Sequence, residues 1–129
     1  MQIVAVLLAA AAGFAMGAVW YMALGKLWMG AVGLTEADMK ANQSPTPFII
    51  AALGNLATAG MMRHVFVSAG LSGAGAGLIA GLGIGLFMIA PWILTNYAFA
   101  GRPKTLWWID AGHVILAATA IGTVLGLML

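Results

Sequence analysis

Asp110, His113, Asn96 and Arg102 are the side chains of this 129-residue sequence whose types and spacing could carry chemistry. Asp110 and His113 are three apart, so on a helix they are neighbours about 60° apart round the axis. A carboxylate beside an imidazole can exchange a proton or hold a cation, and Asn96 could add a neutral ligand. The same carboxylate, favoured by the dipole near the start of a helix, could instead clasp Arg102 or Lys104 across a short turn. All four residues fall in the stretch Pro91 to His113, together with Trp92, Tyr97, Trp107 and Trp108. A second polar sector is looser. Asn55 and Thr58 share a helical face, Arg63 is rotated about 80° from Asn55, and His64 lies about 180° away. Neither group makes a hydrolase triad, a zinc pattern or a phosphate loop, and Gly73-Ala-Gly75-Ala-Gly77 lacks the third glycine of a dinucleotide loop. The expectation is a protein with no catalytic residues, no metal and no cofactor, and so not an enzyme.

The elements that must position these residues are transmembrane helices. Hydrophobic residues make up 64% of the chain and charged residues 6%, with a mean hydropathy of +1.07. Soluble domains carry about 25% charge, so this composition places the chain in a lipid bilayer. A hydrocarbon core of about 30 Å takes roughly 20 apolar residues per helix. Breaks in the sequence then predict four spans, at about 2–24, 48–68, 76–98 and 106–129, in a single all-α domain of four-helix-bundle type. No Lys or Arg precedes the first apolar run, which continues through Leu24, so it reads as a first span rather than a secretory signal. The chain has no cysteine, which removes disulfide and thiolate chemistry. Its five cations are too scattered for a nucleic-acid surface.

Small residues recur every four positions, at Ala9, Gly13 and Gly17, at Gly73, Gly77, Gly81 and Gly85, and at Ala118, Gly122 and Gly126. Such ridges let helix backbones approach closely. Three ridges exceed what one small bundle must bury, which predicts a homo-oligomer. Counting 100° per residue from Gly85 places Trp92 and Asn96 within about 20° of the same packed face. Trp92 and Trp20, which extends the face of Gly13 and Gly17, are therefore expected to line a pocket. Arg63, expensive inside a span, either snorkels outward or meets a buried partner. In the first connection, Thr35 is placed to cap a short amphipathic helix over about 35–42, with Glu36 and Asp38 in its first turn.

Lys26, Lys40, Arg102 and Lys104 lie in the first and third connections. The positive-inside rule then puts connections 25–46 and 99–105 in the cytoplasm and both termini outside. Trp20, Tyr21, Trp28, Trp92, Tyr97, Trp107 and Trp108 would all gather at that basic end. Aligning Gly13 with Gly85 brings Met16 onto Met88 and Trp20 onto Trp92. These matches suit either a parallel two-plus-two repeat or shared composition.

The segments Gly17–Trp28, Leu34–Met39, Leu94-Thr95-Asn96-Tyr97, Gly101-Arg102-Pro103 and Ile109-Asp110-Ala111-Gly112 resemble the family catalogued as domain of unknown function 1761. The resemblance covers nearly the whole chain. It implies a small, mainly bacterial integral membrane protein, here of the inner membrane, with Asn96, Arg102 and Asp110 as characteristic positions and no assigned activity. The functional expectation is a carrier or channel for an ion or small polar solute, with a cytoplasmic-side vestibule built from Trp20, Trp92, Asn96, Arg102, Asp110 and His113. The alternative is a non-catalytic scaffold or accessory subunit that self-associates or joins a larger membrane complex.

Overall fold

The computed structural model describes residues 1–129 and is all-helical. Helix α1 runs Gln2–Val32, α2 Glu36–Ala41, α3 Thr46–Ser68, α4 Ala74–Ile84, α5 Ala90–Phe99 and α6 Lys104–Met128. A π-helical segment, Gly85–Ile89, joins α4 to α5. Four helices are long and apolar enough to cross a membrane, namely α1, α3, the continuous Ala74–Phe99 rod and α6. The chain is a multi-pass membrane protein of four-helix-bundle type.

Three of the four spans lie within two residues of their expected limits. The first departs further, because α1 does not stop near Leu24 but continues to Val32. At 1.5 Å per residue it is about 46 Å long, well beyond the hydrocarbon thickness. It ends where Gly33 takes a left-handed φ of 77°. The short helix α2 then forms as expected. Thr35 Oγ1 accepts from the Asp38 amide at 3.1 Å, and Asp38 Oδ2 accepts from the Thr35 amide at 2.9 Å. That reciprocal pair is a capping box. The Thr35 amide is the main reason the Asp38 carboxyl sits below the usual carboxylate range.

Helix α6 is the hub, flanked by α1 on one side and by the α4–α5 rod on the other, with α3 packed on α1. The ridge of α4 lies directly on that of α6. A Cβ added at Gly77 would come 2.9 Å from Gly126 Cα, and one at Gly81 would come 3.0 Å from Thr119 Cα. The Gly73 amide donates to the Gly126 carbonyl at 2.7 Å, so the first glycine of the series joins the two backbones by a hydrogen bond. On α1, Ala9 and Gly13 are buried, and Gly13 faces Asn55 and Ile121. Below them Phe66, Met62, Ile121 and Leu125 fill the core at the end of the bundle that holds both termini. These ridges are taken up within one chain. The surplus that suggested a homo-oligomer is therefore absent.

The π segment changes the phase of the third span. The Ala90 amide donates to the Gly85 carbonyl, one residue further back than in an α-helix. Pro91, next in sequence, has no amide hydrogen to offer the regular ladder. The extra residue moves the packed face on by one position. Ala90, 2% exposed, continues the face of Gly81 and Gly85, and Ile93 and Tyr97 follow it. Trp92 and Asn96, expected on that face, are instead exposed, Trp92 by 70%.

Candidate functional site

At the basic end, larger side chains come between the helices and line a cavity of about 650 Å³. Helix α1 contributes Phe14, Gly17, Tyr21, Trp28 and Met29, with the last two coming from its unexpected extension. Helix α3 contributes Phe48 and Asn55, α5 contributes Ile93 and Tyr97, and α6 contributes Asp110, His113 and Val114. Met39 of α2 and Pro47 at the start of α3 complete the rim.

Asp110 is the organising group. It lies about 9 Å along α6 from Lys104, since six residues rise 1.5 Å each. The Tyr21 hydroxyl donates to Asp110 Oδ1, and the Tyr97 hydroxyl donates to Asp110 Oδ2. One carboxylate thus ties α1, α5 and α6 together. Arg102 is exposed in the turn, where its carbonyl accepts from Trp107 Nε1 at 3.0 Å. The expected clasp between Asp110 and Arg102 or Lys104 is replaced by the two tyrosine hydroxyls. The reason is position: Asp110 lies a turn and a half inside α6, facing α1 and α5, while Arg102 sits in the preceding turn and Lys104 at the first residue of α6.

His113 follows Asp110 into the cavity, as their spacing predicts. Its ring stands edge-on to Tyr21, with centroids 5.0 Å apart. Gly17 makes room for it, since a Cβ there would fall 2.6 Å from His113 Nε2. Asn55 is also in the wall, so one residue of the sector expected on α3 joins the Asp110 cluster. Its amide nitrogen donates back to Ala51 O at 2.8 Å within α3, rather than across to another helix. Thr58 is half-buried further along α3. Arg63 is elsewhere. With His64, Gln2 and Leu56 it lines a separate groove of about 430 Å³ between α1 and α3 near the termini, and its Nε is buried with no hydrogen-bond partner.

Trp20 and Trp92, expected to line the pocket, do not. Trp20 Nε1 donates to Ile109 O at 2.8 Å, and its ring lies over Gly112, where a Cβ would approach to 2.8 Å. It fastens α1 to α6 beside the cavity. Trp92 and Asn96 are turned outward by the π segment.

Tyr21 and Tyr97 are the site residues that composition and helical counting missed. A signal for them exists. Tyr21 stands four residues before Gly25-Lys26, and Tyr97 four before Gly101-Arg102, so Tyr-x-x-x-Gly-cation occurs once in each half. Aligning the halves on Gly13 and Gly85 conceals it. The two tyrosines converge on the same carboxylate from opposite sides.

The cavity wall is apolar and aromatic with one carboxylate, one imidazole and one carboxamide, and neither Lys nor Arg reaches it. An ionised carboxylate is an acceptor only, and both its oxygens already accept from phenols. Its charge has no cation in the wall to balance it. Such a group is expensive within a membrane protein.

The model of the family described as a protein of unknown function (DUF1761) matches residues 4–126. No curated protein and no solved structure matches the chain.

Proposed function

The chain belongs to the DUF1761 family, and on that premise we propose that it is a small membrane carrier whose solute site is the Asp110 cavity. One observation carries the reading. A single carboxylate, held by tyrosines from two flanking helices, faces a cavity of about 650 Å³, while toward the other end α4 and α6 meet backbone to backbone. That volume is in the range of small-molecule sites, roughly 300–1,000 Å³. A cavity near one end of the bundle suits one state of an alternating-access cycle, in which breaking and remaking the tyrosine contacts would let α1 and α5 move against α6.

In this reading the cavity end faces the cytoplasm and both termini lie outside, as the positive-inside rule favours, in the bacterial inner membrane that the family resemblance implies. The proposed role is binding and passage of a solute, without a chemical transformation. A non-catalytic scaffold is the competing reading. It predicts a defined heteromeric complex on a native gel after mild extraction and no role for the cavity.

Purified protein in proteoliposomes tests the carrier reading. A gradient should drive uptake of small solutes, and Asp110→Asn should abolish it while the protein still reconstitutes. Uptake that is the same with Asp110→Asn as with the wild type, or no uptake of any solute, overturns the proposal.

A further inference from the structure

Resting on the carrier reading, we infer that the cavity takes lipophilic organic monocations, which compete with a proton for the Asp110 carboxylate. Charge comes first. Asp110 is the only acid in the wall, no lysine or arginine faces it, and its hydrogen-bond partners are neutral phenols. An anion would meet an uncompensated like charge there. A neutral polar solute would find too few hydrogen-bonding groups, because most of the wall is apolar.

The donor set then decides between inorganic and organic cations. Hard metal ions need six or more oxygen ligands, or several close carboxylates. The molecule contains no group of three or more His, Cys, Asp or Glu residues able to hold a metal ion. Aromatic side chains are plentiful instead, with Tyr21 and Tyr97 on the acid, Trp28 against Tyr21 and Phe14 also in the wall. Tyr21 and Trp28 meet edge to face, with centroids 6.4 Å apart, so their orientation is fixed relative to the carboxylate. Aromatic faces attract a diffuse organic cation through the ring quadrupole, most strongly where water is excluded. Ile93 and Val114 supply the apolar surface that a lipophilic cation, and not a hydrated one, would cover.

Proton competition follows from the same inventory. The titratable groups facing Asp110 are Tyr21 from α1, Tyr97 from α5 and His113 from α6, while α3 presents the neutral Asn55 and Arg102 stays exposed in the turn. Adding a proton to Asp110 removes the negative charge, and adding one to His113 introduces a positive charge. Both weaken cation binding, so acid should release the ligand.

Tetraphenylphosphonium and tetraphenylborate, alike in shape and opposite in charge, are the probes. Binding is measured by equilibrium dialysis against the full chain in detergent micelles. Tetraphenylphosphonium should bind saturably, at least about tenfold more weakly to Asp110→Asn and progressively more weakly as the pH falls. Trp28→Ala, which leaves the three-helix tie intact, should weaken binding about three- to tenfold by removing an aromatic face. Tetraphenylborate should show only the background that Asp110→Asn shows. Equal saturable binding of both probes, or phosphonium binding indifferent to both substitutions, overturns the ligand class. Saturable phosphonium binding without gradient-driven uptake refutes the carrier reading alone. Asp110-dependent uptake of a neutral or anionic solute refutes the ligand class alone.

Discussion

The two ends of this bundle are built by opposite rules. At the terminal end, Gly77 and Gly81 rest on Gly122, Gly126 and Thr119 backbone, and Phe66, Met62 and Leu125 fill what remains. At the basic end the helices meet through long side chains, with Tyr21 and Tyr97 on Asp110 and Trp20 on the Ile109 carbonyl. Backbone contact leaves no room for a ligand and no freedom to slide. Hydrogen bonds made by side chain tips span a gap, and they can be broken and remade at modest cost. The difference shows that close packing in one region and a cavity in the other follow from what faces the neighbouring helix, glycine where α4 meets α6 and tyrosine or carboxylate where α1, α5 and α6 converge.

The comparison breaks most visibly at the glycines. Gly81→Ala should destabilise the protein by about 2 to 3 kcal/mol, because a new methyl group presses on α6 backbone that cannot give way. Gly83→Ala, two residues along the same helix, has nothing within 4 Å of its Cβ and should be neutral or slightly stabilising. Unfolding by SDS titration of both variants checks the contrast. Equal costs at the two positions would mean that the ridge does not pack as described.

An intermediate effect is expected at the carboxylate. Asp110→Asn keeps the shape but leaves one acceptor oxygen for two donating phenols. It should cost about 1 to 2 kcal/mol in the same assay, less than Gly81→Ala, while weakening solute binding at least about tenfold. A stability loss larger than that of Gly81→Ala would make Asp110 chiefly a structural tie.

The smallest effects separate the two faces of the third span. Tyr97→Phe removes one hydrogen bond to Asp110 and should cost about 1 kcal/mol. Trp92→Ala and Asn96→Ala, on the outward side, should each stay within about 0.5 kcal/mol and leave solute affinity unchanged. Reversal of that order would restore the regular helical count.

Much of the fold was legible from composition and four-residue spacing. Charge scarcity identified a membrane protein, Gly/Pro breaks set three spans to within two residues, and the ridges lie where small residues repeat. Asp110 and His113 were found because intramembrane polar residues are rare enough to stand out. Trp92 and Asn96 were misplaced for a physical reason. Angular counting assumes an unbroken α-helix, and one π turn before Pro91 moves every later residue by a position. Trp20 was misread because an indole over a small-residue face can seal two helices as well as line a pocket. Tyr21 and Tyr97 look like ordinary interfacial aromatics; their common Tyr-x-x-x-Gly-cation spacing marks them as a pair, and the position of their acceptor shows what the pair holds. The use of the ridges within the chain also needed coordinates, since the repeats do not specify which helix each will meet.

Because the native chain has no cysteine, single thiols can report the central claim directly. Ile93→Cys should react with a membrane-impermeant maleimide added from the basic side and should be protected by tetraphenylphosphonium. Trp92→Cys, facing lipid, should react slowly and gain no protection. Rapid, ligand-sensitive labelling of Trp92→Cys with a silent Ile93→Cys would contradict both the phase of the third span and the cavity built on it.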